Sequence, residues 1–199
     1  MNERSDTGER ESDGSVDDMM KHLDEAKQRD DPPRRNNRSS STMSKKAKLM
    51  QTRPDAAVLA SNYEVRLQEL VDLEKVTHRA GNPWTSAKAG LERHGQLPIY
   101  YRLNGEITHK GYIVEMVIRP EDESDVPQSI KKHITDDDTY SDFNDKYDTT
   151  TYLVTDGERL DEPFPQSDLL RIEGDEYVDE NYSYQPAYVR QRDGDFPDS

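Results

Sequence analysis

The dipeptide Asn104-Gly105, set between two runs of β-forming residues, constrains this chain more than any other feature. A type I′ turn needs positive φ at both central positions, and Asn-Gly meets that need at the lowest steric cost. The run before it, Leu97-Pro98-Ile99-Tyr100-Tyr101-Arg102-Leu103, is rich in aromatic and branched residues that suit a pleated, half-buried surface. The run after it extends from Glu106 to Ile118, with Gly111 inside it where a bulge is expected. The chain is therefore committed to a long antiparallel hairpin.

The flanking segments read as short elements of both kinds. Ser61-Asn62-Tyr63-Glu64 matches a capping box, and Tyr63, Leu67, Leu70 and Val71 follow at helical spacing, which predicts an amphipathic helix to about Leu73. A loop through Gly81, Asn82 and Pro83 leads to the only tryptophan, Trp84. Thr85 or Ser86 is positioned to cap a helix over Ala87–Arg93, with Gly95 to end it. A short helix is expected over Pro127–Ile134, an acidic loop over Thr135–Asp148, and a strand over Thr149–Thr155 stopped by Asp156-Gly157. Glu162-Pro163-Phe164-Pro165 reads as a rigid connector into one helical turn at Ser167–Leu170, and Ala187–Gln191 as the last strand. Together these predict an α+β class: a small curled sheet or β-barrel with short helices, one domain over residues 55–192.

Charge marks what lies outside that domain. Only 31% of the 199 residues are hydrophobic and 35% are charged, so some segments bury too little apolar surface to offset the entropy of ordering. Residues 1–54 are expected to be a disordered head, with a transient helix over 15–27, and residues 193–199 a disordered tail. Residues 1–31 hold 11 acids and 5 bases, whereas residues 32–54 hold seven bases and no acid: Arg34, Arg35, Arg38, Lys45, Lys46, Lys48 and Arg53. Such a tract is either a linker or an arm that docks on phosphate. Residues 55–120 balance at eight of each sign, and residues 121–199 hold 23 acids and 7 bases. The net charge of -15 comes from acids scattered among apolar residues, and arginine outnumbers lysine by 16 to 11. That pattern suits a high-salt cell, where a Debye length of about 3 Å leaves net charge little say over partners. Met1–Gly14 carries no apolar signal core and no apolar run reaches membrane-spanning length, so a cytoplasmic protein with no membrane partner is expected.

Motifs for catalysis are weak. With no cysteine, disulfides, thiol chemistry and thiolate zinc sites are excluded. His22, His78, His94, His109 and His133 show no helical metal-ligand spacing. Asp142-Phe143-Asn144-Asp145, running on to Asp148, opens like a calcium loop but has Tyr147 at the glycine position and Leu153 at the closing glutamate position. No catalytic residue, cofactor or metal is expected. What remains is an aromatic and polar group around the hairpin: Trp84, Ser86 and Lys88 before it, Tyr101 and Arg102 on its first strand, His109, Lys110 and Tyr112 on its second. Aromatic faces with cationic and hydroxyl donors suit a flipped base. Trp84, Tyr101 and Tyr112 would stack, Ser86, Arg102 and Lys110 would donate, and Arg34, Arg35, Arg38, Lys45, Lys46 and Lys48 would form an accessory arm. The expected partner is DNA or RNA. The alternative is an adaptor whose acidic half, 121–199, binds a basic protein partner or mimics DNA.

Leu97-Pro98-Ile99-Tyr100-Tyr101-Arg102, followed by Ile107-Thr108-His109-Lys110-Gly111-Tyr112-Ile113-Val114, resembles the PUA-like superfamily and, within it, the EVE-type domain. Leu160-Asp161-Glu162-Pro163-Phe164-Pro165, running on to Leu169, looks like that family's closing connector. The likeness spans roughly residues 84–190. It implies a small β-barrel that binds nucleic acid, often at a modified base, without catalysing a reaction.

Overall fold

In chain order, the computed structural model describes residues 43–135 and 142–197. They build α1 (Lys45–Thr52), β1 (Ala56–Ser61), α2 (Glu64–Asp72), β2 (Lys75–Ala80), α3 (Thr85–His94), β3 (Leu97–Leu103), β4 (Glu106–Ile118), α4 (Gln128–Lys131), α5 (Phe143–Tyr147), β5 (Thr150–Pro165) and β6 (Ala187–Arg190). The strands form one six-stranded sheet in the order β2-β5-β4-β3-β1-β6. Only β1 and β3 run parallel; every other neighbouring pair is antiparallel. The sheet curls without closing, so the α+β expectation holds in its open-sheet form, with β2 and β6 as edges.

The hairpin is central to this sheet. Asn104 and Gly105 have φ of 53° and 89°, as a turn with two left-handed residues requires. Register shifts fall at Tyr101/Arg102 on the β3 side and around Gly111 on the β5 side, which bend the two strands. Alternation along β3 then divides the core. Ile99 and Tyr101 face a layer with Val58, Ala60, Ile113, Val154 and Tyr152, covered by Met50, Leu67, Leu70, Trp84, Ala87 and Leu91 from the helical side. Tyr100 faces the opposite layer with Leu59, Ile107, Phe164, Leu169, Val189 and Phe196. A smaller cluster of Val126, Ile130, Tyr147 and Leu153 holds the acidic excursion against the sheet.

Several expectations are corrected here. Residues 45–52 are not linker: Ser44 caps α1 through the Ala47 amide, and Met50 is fully buried. A Cβ on Gly90 would stand 3.1 Å from the Met50 carbonyl oxygen, so α1 and α3 touch backbone to side-chain base. The domain thus begins before residue 55. Helix α2 is capped at Tyr63 without a side-chain bond; Ser61 belongs to β1 and the capping box does not form. Strands β1 and β2 add to the expected elements. Asp156-Gly157 does not stop β5, which continues to Pro165 and pairs Phe164 with Ile107. At Gly157 the Leu70 side chain lies so near that a Cβ would sit 2.3 Å from Leu70 Cγ. The glycine allows the close approach of α2 to β5. The tail is packed as far as Phe196: Tyr100 donates to Asp195 at 2.6 Å, and the Phe196 ring lies 5.2 Å from both Tyr100 and Tyr112. The helix expected over 15–27, together with Arg34, Arg35 and Arg38, lies outside the described residues.

Candidate functional site

The eight residues singled out around the hairpin do not gather into one pocket. Trp84 and Tyr101 are fully buried. Trp84 lies on Tyr152, with ring centroids 4.7 Å apart, and the Tyr101 hydroxyl is 2.7 Å from His78 Nδ1. Burial, helped by the Arg66 charge, lowers the His78 pKa to about 3; burial likewise raises Tyr101 and Tyr152. This is a neutral hydrogen-bonded core cluster. It offers no ring face to a ligand, although His78 Nε2 and Trp84 Nε1 have no hydrogen-bond partner among the described residues.

The polar members are equally engaged. Ser86 is buried, its Oγ 3.5 Å from Ser44 Oγ, tying α3 to α1. Lys88 donates to the Met116 carbonyl at 2.9 Å. His109 is buried beside Thr108 Oγ1 at 2.8 Å, and burial lowers its pKa. Tyr112 packs on Phe196 across the sheet from Tyr101, and Lys110 bridges Glu158 at 2.7 Å and the Asp195 carbonyl. In the accessory tract, Lys45, Lys46 and Lys48 are exposed on α1, and Lys46 lies 3.8 Å from Glu173.

Arg102 has the most informative placement. It donates to Ser61 Oγ at 2.8 Å and 3.0 Å, to Gln166 Oε1 and to the Tyr182 carbonyl; burial lowers its pKa. Buried Gln166 donates in turn to the carbonyls of Asp179 (2.6 Å), Glu180 (2.8 Å) and Tyr182 (3.2 Å). Arg102 and Gln166 therefore clamp the backbone of the loop carrying Tyr182 and Tyr184. Arg102 is a positioning group behind that loop, not a donor facing solvent.

The clamped loop borders a shallow, open recess of about 430 Å³, lined by Arg79, Ala80, Gly81, Asn82, Asp148, Ser183, Tyr184 and Gln185. Three segments converge on it. Residues 81–84 are pinned by Thr150 Oγ1, which donates to the Asn82 carbonyl (2.7 Å) and accepts from the Trp84 amide (3.2 Å). Asp148 follows α5, its amide donating to the Asn144 carbonyl at 2.8 Å. Asn82 Nδ2 donates to the Gln185 carbonyl at 3.3 Å, which joins the 81–84 turn to the tyrosine loop. Tyr184 is 78% exposed, edge-on to Tyr182 at 6.0 Å. Arg79 is held by the Lys146 carbonyl at 3.0 Å. The lining thus presents an aromatic face, amide and hydroxyl groups, one guanidinium and one carboxylate, on backbone fixed from behind.

Of these lining residues only Asp148 falls in a weighed motif, the rejected calcium-loop match, and they come from three separated parts of the chain. The signal that could have raised them is the Tyr-rich stretch Tyr177–Tyr188, whose Tyr182, Ser183, Tyr184 and Gln185 carry stacking and hydrogen-bonding groups side by side. Other cavities are less equipped: one of about 290 Å³ lies beside Pro54, His94, Leu97, Pro98 and Tyr112, and one of about 260 Å³ lies beside Arg192, Gly194, Phe196 and Pro197. No group of three or more potential metal-ligand side chains occurs among the described residues, and no helix among them is long and apolar enough to cross a membrane. Compared with known proteins, the chain matches no family model and no curated protein.

Proposed function

We propose that this chain is a non-catalytic nucleic-acid-binding module that takes one unpaired or flipped base in the recess beside Tyr184. The observation carrying the reading is the exposed Tyr184 ring beside the groups of Asn82, Ser183, Gln185 and Asp148, in a cavity of about 430 Å³. Every base has a π-face, and stacking one on an aromatic side chain contributes about 1–3 kcal/mol. Amide, hydroxyl and carboxylate groups at the rim can then meet the base edge, which is how single-stranded nucleic acids are read. Nucleic-acid binding is also what the resemblance to EVE-type PUA-like domains implies.

A protein of net charge -15 repels phosphate over most of its surface at low salt, so binding here rests on the base more than on the backbone. That gives a distinctive salt response. Phosphate docking weakens steeply with salt, whereas stacking in a recess persists. Fluorescence anisotropy of labelled single- and double-stranded DNA and RNA across a potassium chloride series tests this. Binding of single strands that is flat or strengthens with salt, and that weakens roughly tenfold in Tyr184→Ala, a loss of the size expected for one stacked base, is the expected result. No binding of any strand at any salt would overturn the reading and favour an acidic-surface protein partner.

A further inference from the structure

Resting on that reading, we propose that Asp148 makes the recess selective for cytosine or adenine, whose exocyclic amine stands at the cytosine C4 or adenine C6 position, over thymine or uracil, which carry a carbonyl at the equivalent edge. Asp148 spends one carboxylate oxygen, Oδ1, on the Thr149 amide at 2.6 Å. It has no ion-pair partner among the described residues. Both of its oxygens lie beside Gly81, 3.8 Å and 3.9 Å from where a Cβ would stand, so the glycine leaves the carboxylate open to the recess. The residue is held there firmly: its amide is bonded to the Asn144 carbonyl, its φ is 52°, and Thr150 behind it begins β5.

A carboxylate only accepts hydrogen bonds. Cytosine N4 and adenine N6 are donors and satisfy it; thymine and uracil present a carbonyl O4 at the equivalent edge. Turning O4 toward Asp148 sets two acceptors against each other and strips water from the carboxylate without replacement. Discrimination therefore comes from repulsion of the wrong base as well as attraction of the right one. A methyl group at cytosine C5 leaves the N4 donors intact, so such a base is accepted too.

The experiment is competition anisotropy with single-stranded DNA probes identical except for one central base: cytosine, 5-methylcytosine, adenine or thymine. Wild type is expected to favour the three amine-bearing probes over thymine by roughly tenfold, the size of one good base-edge contact. Asp148→Asn, which keeps the side-chain shape, and Asp148→Gly, which suits the backbone at φ 52° and ψ −166°, should bring that ratio to within about twofold of unity, as expected once the repulsive acceptor is gone. Tyr184→Ala should weaken all four probes by a similar factor and leave the ratio standing. Equal wild-type affinity for cytosine and thymine, or a ratio unchanged in both Asp148 variants, overturns this selectivity while leaving the binding module intact. No measurable binding of any probe overturns the module itself.

Discussion

The Gly81–Trp84 turn joins two aromatic regions that use their rings in opposite ways. On one side Trp84, Tyr101, Tyr152 and His78 are closed into the sheet's helical face, every ring at most 2% exposed. On the other, Tyr184 stands 78% exposed at the rim of a recess whose backbone is held by Arg102 and Gln166. The first region encloses its polar atoms, pairing His78 Nδ1 with Tyr101 and leaving His78 Nε2 and Trp84 Nε1 without a partner among the described residues; the second turns them outward. Residue type does not separate them, since both mix aromatic and polar groups. What separates them is whether neighbouring elements cover those groups. A buried ring adds stability through excluded surface and packing, while an exposed ring on a rigid mount is available to a partner.

The difference can be broken or sharpened by substitution. Trp84→Ala should have the largest effect, about 3–5 kcal/mol of lost stability in urea denaturation, as for other large-to-small changes in a core; a loss below about 1 kcal/mol would show that the ring is not packed as described. Acid comes next. The folded His78 pKa of about 3 lies below its unfolded value of about 6.5, so the unfolded chain binds the extra proton in that window. Stability is retained above about 6.5 and lost as pH falls toward 3, by about 1.4 kcal/mol for each unit well inside the window. His78→Asn should lack that slope, and comparing the two proteins between pH 7 and pH 4.5 removes the contribution of the carboxylates they share. Tyr101→Phe should cost about 1–3 kcal/mol, because it leaves His78 Nδ1 buried without its partner. Tyr184→Ala, the smallest change, should leave stability within about 0.5 kcal/mol of wild type while weakening single-strand binding. Equal stability losses in Tyr184→Ala and Tyr101→Phe would erase the distinction between the regions.

Legibility in the sequence followed the range of the interactions. The β3–β4 hairpin was plain because the Asn104-Gly105 turn and its flanking residues are local, and α3 was plain because Gly95 ends it with a left-handed residue. Strand β1 was hidden because Ala56–Ala60 is buried throughout and so shows no alternation. Strand β2 was hidden because its inward residues include Thr77 and His78, whose polar atoms find partners only in the folded chain: Thr77 Oγ1 donates to the Ile130 carbonyl, and His78 meets Tyr101. The turn signal at Asp156-Gly157 was real in part, since Asp156 has φ of 51°, but pairing of Phe164 with Ile107 carries the strand onward. The same limit applied to the site. Trp84 and Tyr101 were chosen for being aromatic, and their burial depends on helices far away in sequence. Arg79, Asn82, Asp148 and Tyr184 meet through the β2–β5 pairing and the clamp on the tyrosine loop, which no spacing rule encodes.

The most direct test of the central claim is to find where a base lands. A single-stranded DNA probe carrying 5-iodocytosine at one central position, irradiated with the full-length protein and mapped by peptide mass spectrometry, reports the side chain in contact with that base. The account predicts a crosslink to Tyr184 that disappears in Tyr184→Ala. A crosslink to α1 or to the rim of the Pro98–Tyr112 cavity, with Tyr184 unmodified, would contradict it.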